Sequence, residues 1–327
     1  MLARALDAWW AELGRPDPYV VIEAGAGVGT LAAAVLAADP ECATALRYVT
    51  VERSPSLRAE QRGRLALEEP AFVLGVSEHP EEDEEARPRP GQGPLVTALA
   101  ELPALAVEGV ILANELLDNL GFRLLEQGGD GWREVLVGEH DGRLREVLVP
   151  APPDLGVAAD ELAPDAPPGG RVPLQRQAQD WVATAVGLLQ RGRVVVIDYA
   201  DRTASLARRP WEDWLRTYRG HGRGGHPLSS PGTQDVTCEV AVDQLLGVAA
   251  PLAVRSQAEF LASHGMGDLA AEAAAEWEAG AARGDLGSVR ARSRVGEARA
   301  LAAADGLGAF AVVEWDVARR QDRVARS

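Results

Sequence analysis

Tyr19-Val-Val-Ile-Glu-Ala-Gly-Ala-Gly-Val-Gly-Thr30, running on into Leu31-Ala-Ala-Ala-Val-Leu36, decides how the chain is read. It is a short apolar run, an acid, three glycines on alternate positions, then an Ala-rich stretch suited to a helix. A strand feeding a Gly-rich turn at a helix N-terminus is how α/β proteins hold nucleotide-like ligands. Glycine lets the backbone approach a ligand where a Cβ would clash. A dinucleotide fingerprint spaces its glycines G-x-G-x-x-G/A. Here the third glycine position is Thr30, and Gly29 falls one residue early. The acid Glu23 suits a ligand carrying positive charge better than a pyrophosphate.

Working outward, Arg47-Tyr-Val-Thr-Val-Glu52 reads as a second short strand ending in an acid. A carboxylate at the end of the second strand can accept hydrogen bonds from both ribose hydroxyls of a nucleoside. Ser54-Pro-Ser56 then opens a helix, with Ser54 as N-cap and Pro55 in the first turn. Gly109-Val-Ile-Leu-Ala reads as a buried strand, followed by Asn114-Glu-Leu-Leu-Asp118 at its C-terminal end. Ligands in open α/β sheets sit outside the carboxyl ends of strands. Asn114 offers both a donor and an acceptor. Glu115 or Asp118 can orient or deprotonate a nucleophile, or bind a cation; Asn114 and Asp118 can also serve simply as helix caps.

Composition limits the alternatives. The chain has 327 residues, 46% of them hydrophobic, enough for one large α/β domain with insertions or for two domains. A net charge of −16 argues against general nucleic-acid affinity. No run approaches a membrane span, and the N-terminus lacks the apolar core of a signal peptide. The two cysteines, Cys42 and Cys238, imply neither a disulfide framework nor a metal site, so a cytoplasmic location is expected.

The expected organisation is the first half of a ligand-binding core over 1–120, with a β-meander and a Pro/Gly loop over 121–172. A core helix and strand follow over 173–200, an Arg-rich insertion over 201–245 that is irregular through 235, and the completion of the core over 246–327. The meander is read from three runs, Phe122–Leu125, Trp132–Val137 and Leu144–Val149, separated by Gly/Asp turns. Glu81–Glu85 lies in an acidic loop. Strands alternating with helices give a mostly parallel sheet covered on both faces.

Glu23-x-Gly-x-Gly-x-Gly29 resembles motif I of class I S-adenosylmethionine (SAM) methyltransferases. Taken with Val51-Glu-Arg-Ser-Pro-Ser-Leu57, Gln61 and Ala113-Asn-Glu-Leu-Leu-Asp118, it is similar to the MidA-type SAM-dependent methyltransferases. Leu215-Arg-Thr-Tyr-Arg-Gly-His221, Pro231-Gly-Thr-Gln-Asp-Val-Thr237, Gln257–Leu261 and Gly308–Trp315 resemble later elements of that family. The resemblance covers nearly the whole chain in order. It implies a class I, Rossmann-like, seven-stranded, mostly parallel sheet carrying the antiparallel meander and the Arg-rich insertion. It implies SAM as cofactor, with Glu23, Gly25, Gly27, Gly29, Thr30, Glu52 and Arg53 as binding residues and no metal. It implies a catalytic set of Asn114, Glu115, Asp118 and His221. Protein arginine methylation is the best-known activity of the family. A protein substrate or assembly partner is therefore expected, no nucleic acid or membrane is, and a homodimer is left open.

Two departures carry expectations of their own. Only eighteen residues precede the first strand, so the family's cofactor-covering N-terminal segment is expected to be lacking. The family's D-[IV]-T-A-H-V-D reads Asp235-Val-Thr-Cys-Glu-Val-Ala241 here, with Glu239 at the histidine position. These leave a non-catalytic assembly protein and a small-molecule methyltransferase as alternatives; the glycine spacing disfavours a nucleotide-dependent oxidoreductase. The arginines of 202–226, with His221 and His226, read either as a cleft wall for an anion or as a solvated loop of local ion pairs.

Overall fold

A computed structural model describes residues 1–75, 90–220, 222–280 and 285–318. The acidic loop at Glu81–Glu85, and His221, lie outside these. In chain order the first elements are α1 (Leu2–Glu12), β1 (Tyr19–Ala24), α2 (Thr30–Ala37), β2 (Leu46–Val51), α3 (Pro55–Glu60), α4 (Pro70–Leu74), β3 (Leu95–Leu99) and β4 (Val107–Asn114). Next come β5 (Arg123–Gly128), β6 (Gly131–His140), β7 (Arg143–Pro150), α5 (Pro153–Leu162), β8 (Arg171–Leu174), α6 (Arg176–Leu188) and β9 (Leu189–Asp198). Then follow β10 (Ala200–Asp201), α7 (Thr203–Leu206), β11 (Leu215–Arg219), β12 (Gly222–Arg223), β13 (Asp235–Cys238), β14 (Val240–Ala241) and α8 (Val242–Leu246). The last are β15 (Ala253–Ser256), α9 (Gln257–Ser263), α10 (Met266–Gly280), α11 (Leu286–Ala302) and β16 (Ala311–Val317). The chain divides into two compact units: Met1–Asn114 with Ala185–Ile197 and Pro251–Ser327, and Glu115–Thr184 with Asp198–Ala250.

The first unit is built on a seven-stranded sheet of order β15-β16-β9-β4-β1-β2-β3. Strands β3, β2, β1, β4 and β9 run parallel through the pairs β2–β3, β1–β2, β1–β4 and β4–β9. At the other end of the sheet the edge strand β15 pairs antiparallel with β16. The strand order reverses between β1 and β4, which is where such sheets open a crevice at their carboxyl ends. Every residue of β1 and β2 is buried, because both faces of a parallel sheet carry helices. On one face Leu6 and Trp9 of α1 pack with Tyr19, Val21 and Val195, and the Tyr19 hydroxyl donates to the Leu6 carbonyl at 3.1 Å. Each such apolar side chain taken from water contributes on the order of 1.5–3 kcal/mol.

The second unit holds a four-stranded antiparallel sheet of order β7-β6-β5-β8 and a three-stranded one of order β12-β11-β13. The expected meander is β5–β6–β7, turning at Gly128–Gly131 and His140–Arg143. Residues 150–172, expected as a loop, instead contain α5 and the start of β8. The helix is stapled by Leu155 and Ala159 packing against Trp132, whose indole donates to Asp160 at 2.8 Å. Pro152 and Pro153 at its N-terminus are tolerated there, since the first amides of a helix have no partner to lose. The 201–245 insertion is likewise ordered rather than irregular: β11 pairs with β13 and β12 over a buried Trp214. In the first unit, the sequence of α11 carries no signal of its helix, because it shows no apolar stripe at helical spacing. No helix among the described residues is long and apolar enough to cross a membrane.

Candidate functional site

The glycine turn is shaped by backbone geometry first. Gly25, Gly27 and Gly29 all have positive φ, at +72°, +54° and +78°, a region costly to residues with a Cβ. Gly29 is the left-handed N-cap of α2, and a Cβ there would stand 2.9 Å from Leu65 Cδ1. A Cβ on Gly27 would meet no heavy atom within 4 Å, so that side of the turn is open. The turn is tied to β2 by the Gly25 and Ala26 amides, which donate to the Val51 carbonyl at 2.9 and 3.1 Å.

Glu52 follows β2 and has both carboxylate oxygens engaged. Its Oε2 accepts the Gly27 amide at 2.9 Å and its Oε1 accepts the Ser54 amide at 2.7 Å. Each oxygen carries a further lone pair available to a hydroxyl donor. Gln61 grips the other side of the turn: its Nε2 donates to the Gly27 carbonyl at 2.7 Å, and its Oε1 accepts the Thr50 hydroxyl at 2.8 Å. Gln61 lies past the end of α3, in a tighter helical turn over 61–63. Ser54 caps α3 as expected, accepting the Leu57 amide at 3.4 Å. Thr30, the first residue of α2, is exposed, as is Arg53.

Glu23 is placed differently from the other acids. It is 4% exposed and lies under the turn, where its Oε2 accepts the Tyr48 hydroxyl at 2.7 Å. Burial lifts its carboxyl from 4.5 to about 7, although Tyr48 and the Ala32 amide in the first turn of α2 both favour the ionised form. Glu23 therefore braces β1, β2 and α2 from below.

The acids after β4 belong to the second unit from Glu115 onward, with Asn114 as the half-buried last residue of the strand. Glu115 is exposed and has φ +51°, a left-handed conformation rare for a non-glycine residue. Asp118 is 3% exposed. Its Oδ2 accepts the Tyr199 hydroxyl at 2.5 Å and its Oδ1 accepts Asn119 Nδ2 at 2.6 Å. Asp198, 1% exposed, accepts the amides of Leu117 and Asp118 on Oδ2 at 3.0 and 3.3 Å and that of Tyr199 on Oδ1 at 3.0 Å. Burial raises both Asp118 and Asp198 above the usual carboxylate range; the Asp118 charge adds to this at Asp198, and Glu115 adds at both. Of the residues expected after β4, Glu115 is thus the presented acid and Asp118 a buried one. The short turn at 117–119 is capped by Asp198, not by Asn114 or Asp118. Asp198 and Tyr199 were not singled out in the sequence, although an acid ending a central strand is the same signal that marked Glu52.

Several arginines of the insertion are engaged within their own unit. Arg209 reaches Glu239 at 2.9 Å and Asp201 at 3.4 Å, and Arg208 lies 3.5 Å from Asp165. Arg219 donates to the Thr233 hydroxyl at 2.6 Å. This matches the reading of local ion pairs. Glu239, at the histidine position of the family motif, is buried against Arg209, with Arg216 3.9 Å away.

The chain matches a protein-family model described as "Putative S-adenosyl-L-methionine-dependent methyltransferase" over residues 1–257. Two crystal structures of proteins from Burkholderia thailandensis are similar to it across 97% of its length, both with a TM-score of 0.73. One, a native structure of an uncharacterized protein, is 28% identical, with 78% of that chain covered. The other, bound to S-adenosyl-homocysteine, is 27% identical, with 75% of that chain covered. No curated protein matches the chain.

Proposed function

The chain belongs to the family of SAM-dependent methyltransferases, and from that premise we propose that it methylates an arginine side chain of a protein in the cytoplasm. Its sheet is that of the class I enzymes and SAM is its cofactor. SAM, when bound, supplies a methyl group on a sulfonium sulfur, a leaving group that departs with the carbon–sulfur bonding pair.

The residues of the first unit suit this cofactor. The open side of Gly27 admits close approach by the amino-acid end of the ligand, with Gly25 and Gly29 holding the turn. Glu52, pinned by two amides, would accept the ribose hydroxyls without rearranging. Glu23, buried under the turn, would act through the backbone it braces.

The acceptor reading rests on one observation: an exposed carboxylate, Glu115, held in a left-handed conformation directly after the central strand β4. A carboxylate pairs with a guanidinium through two parallel N–H donors, orienting the nitrogen and favouring its lone pair for attack. Most of the acceleration would come from alignment, since the leaving group is already activated. Asp118 supports this loop through Asn119 and Tyr199, and Asn114 and the motif residue His221 are assigned to the same chemistry.

Transfer of a radiolabelled methyl group from SAM into a cell lysate tests this reading, with acid hydrolysis to identify the labelled amino acid. Methylated arginine, lost in Glu115→Gln, is expected. Label confined to small molecules, or to another amino acid, would replace the acceptor while leaving the cofactor.

A further inference from the structure

We propose that Asp198 and Tyr199 are positioning residues, which hold the 115–119 loop so that Glu115 stays in its left-handed, presented conformation. This rests on the reading of Glu115 as the acceptor's partner. A non-glycine residue with φ +51° persists only where its surroundings over-determine it. The loop supplies such surroundings from two directions. Asp198 grips the backbone, accepting the Leu117 and Asp118 amides on one oxygen. Tyr199 grips the side chain, donating its hydroxyl to Asp118. Asn119 closes the circuit, donating to Asp118 Oδ1 at 2.6 Å and to the Glu115 carbonyl at 3.2 Å.

Strands β4 and β9 are paired in parallel with Asn114 opposite Ile197, and the next residues along the chain are Glu115 and Asp198. The hydrogen bonds cross 81 and 80 positions of sequence, so no local turn preference enforces them. Two buried acids at one place cost stability, and nothing in the packing of apolar side chains calls for them. Holding a functional carboxylate through a layer of supporting hydrogen bonds gives that cost a purpose.

The charged surroundings are mixed. Glu115 adds negative potential to both aspartates, and the buried Cys238 thiol lies close enough to be raised by them. The Arg216 guanidinium stands over the Tyr199 ring, 5.6 Å from its centroid. Asp118 raises the Asp198 carboxyl, the further displaced of the two, so Asp198→Asn removes the more strongly raised member of the pair.

The test uses Asp198→Asn, Tyr199→Phe and Glu115→Gln in the full chain, each compared with wild type. S-adenosyl-homocysteine affinity by calorimetry is expected to stay within about twofold in all three, since the change lies outside the cofactor turn. Amide hydrogen exchange over 116–120 is expected to rise by about tenfold or more in Asp198→Asn, and less in Tyr199→Phe, because the loop loses its ties. Methyl transfer is expected to fall by up to about a hundredfold in kcat, as for a misplaced reacting group. The limb of the pH profile governed by the aspartate pair should move to lower pH in Asp198→Asn. Wild-type exchange together with wild-type kcat and pH profile in Asp198→Asn would overturn the proposal. If that variant does not fold, Tyr199→Phe carries the same comparison. Glu115→Gln separates the two readings: undiminished transfer there removes Glu115 from the chemistry, whereas the exchange measurement judges Asp198 and Tyr199 regardless.

Discussion

Glu52 and Gly27 are joined across 25 residues of sequence: the carboxylate that ends β2 accepts the amide of the central glycine of the turn at 2.9 Å. The same carboxylate accepts the Ser54 amide at 2.7 Å, so one side chain sets both the turn and the entry to α3. A glutamine at this position offers a single acceptor oxygen and turns an NH₂ toward one of the two amides. Glu52→Gln is expected to cost about 1–3 kcal/mol of stability for the unsatisfied donor. It should weaken S-adenosyl-homocysteine binding by about tenfold or more, as read by denaturant melts and calorimetry.

The two glycines flanking Val28 should respond differently to alanine. At Gly29 a Cβ meets Leu65 Cδ1 at 2.9 Å on top of a positive φ, so Gly29→Ala is expected to destabilise the fold by roughly 2 kcal/mol or more. At Gly27 only the φ penalty applies, about 1 kcal/mol, because nothing lies within 4 Å. Gly27→Ala should therefore lose cofactor affinity with a small change in melting, and Gly29→Ala the reverse emphasis.

Glu23 makes stability depend on pH with a defined sign. Its carboxyl titrates near 7 in the fold and 4.5 is the ordinary value, so between these the folded state holds a proton that the unfolded state has released. Its contribution is fully present below pH 4.5 and is lost as pH rises through about 7. The full swing is roughly 3 kcal/mol. Glu23→Gln, compared with wild type in melts across this range, should show a flatter profile. Equal slopes for the two proteins would refute the assignment.

Binding should separate the nucleotide alternatives. A ligand at one hundred times its dissociation constant raises stability by about 2.7 kcal/mol. SAM and S-adenosyl-homocysteine are expected to raise the melting temperature and NAD to leave it unchanged, which thermal scans with each ligand would check.

Arg171 anchors the second unit. It is 8% exposed, forks onto Glu146 at 2.9 and 2.6 Å, meets Glu126 at 2.7 Å and stacks 4.9 Å from the Trp211 centroid. Arg171→Met strands two carboxylates together, and a loss of about 3–5 kcal/mol is expected in denaturant unfolding. Arg171→Lys keeps the charge but not the fork, and should recover only part of it.

The strand–glycine–helix unit was legible because its requirements are local. Left-handed φ at alternate positions needs glycine whatever surrounds it, and a buried parallel strand needs an unbroken apolar run. The meander was legible for the same reason, through its alternation and its Gly/Asp turns. The helix over 286–302 was not, since its apolar residues follow no stripe, and α5 was hidden by the prolines and small residues around it.

By itself, then, the sequence determined the parallel core, the glycine turn and the acids that end β2 and β4. Their residue types answer steric and periodic demands within a few positions of the chain. Which acid is presented and which is buried was decided only by tertiary structure. Glu52 finds Gly27, Tyr48 covers Glu23, and Asp198 seizes the Leu117 amide because neighbouring strands bring them within reach. Hydrogen bonds between residues 25 or 81 positions apart follow from strand order and register, which no local pattern encodes.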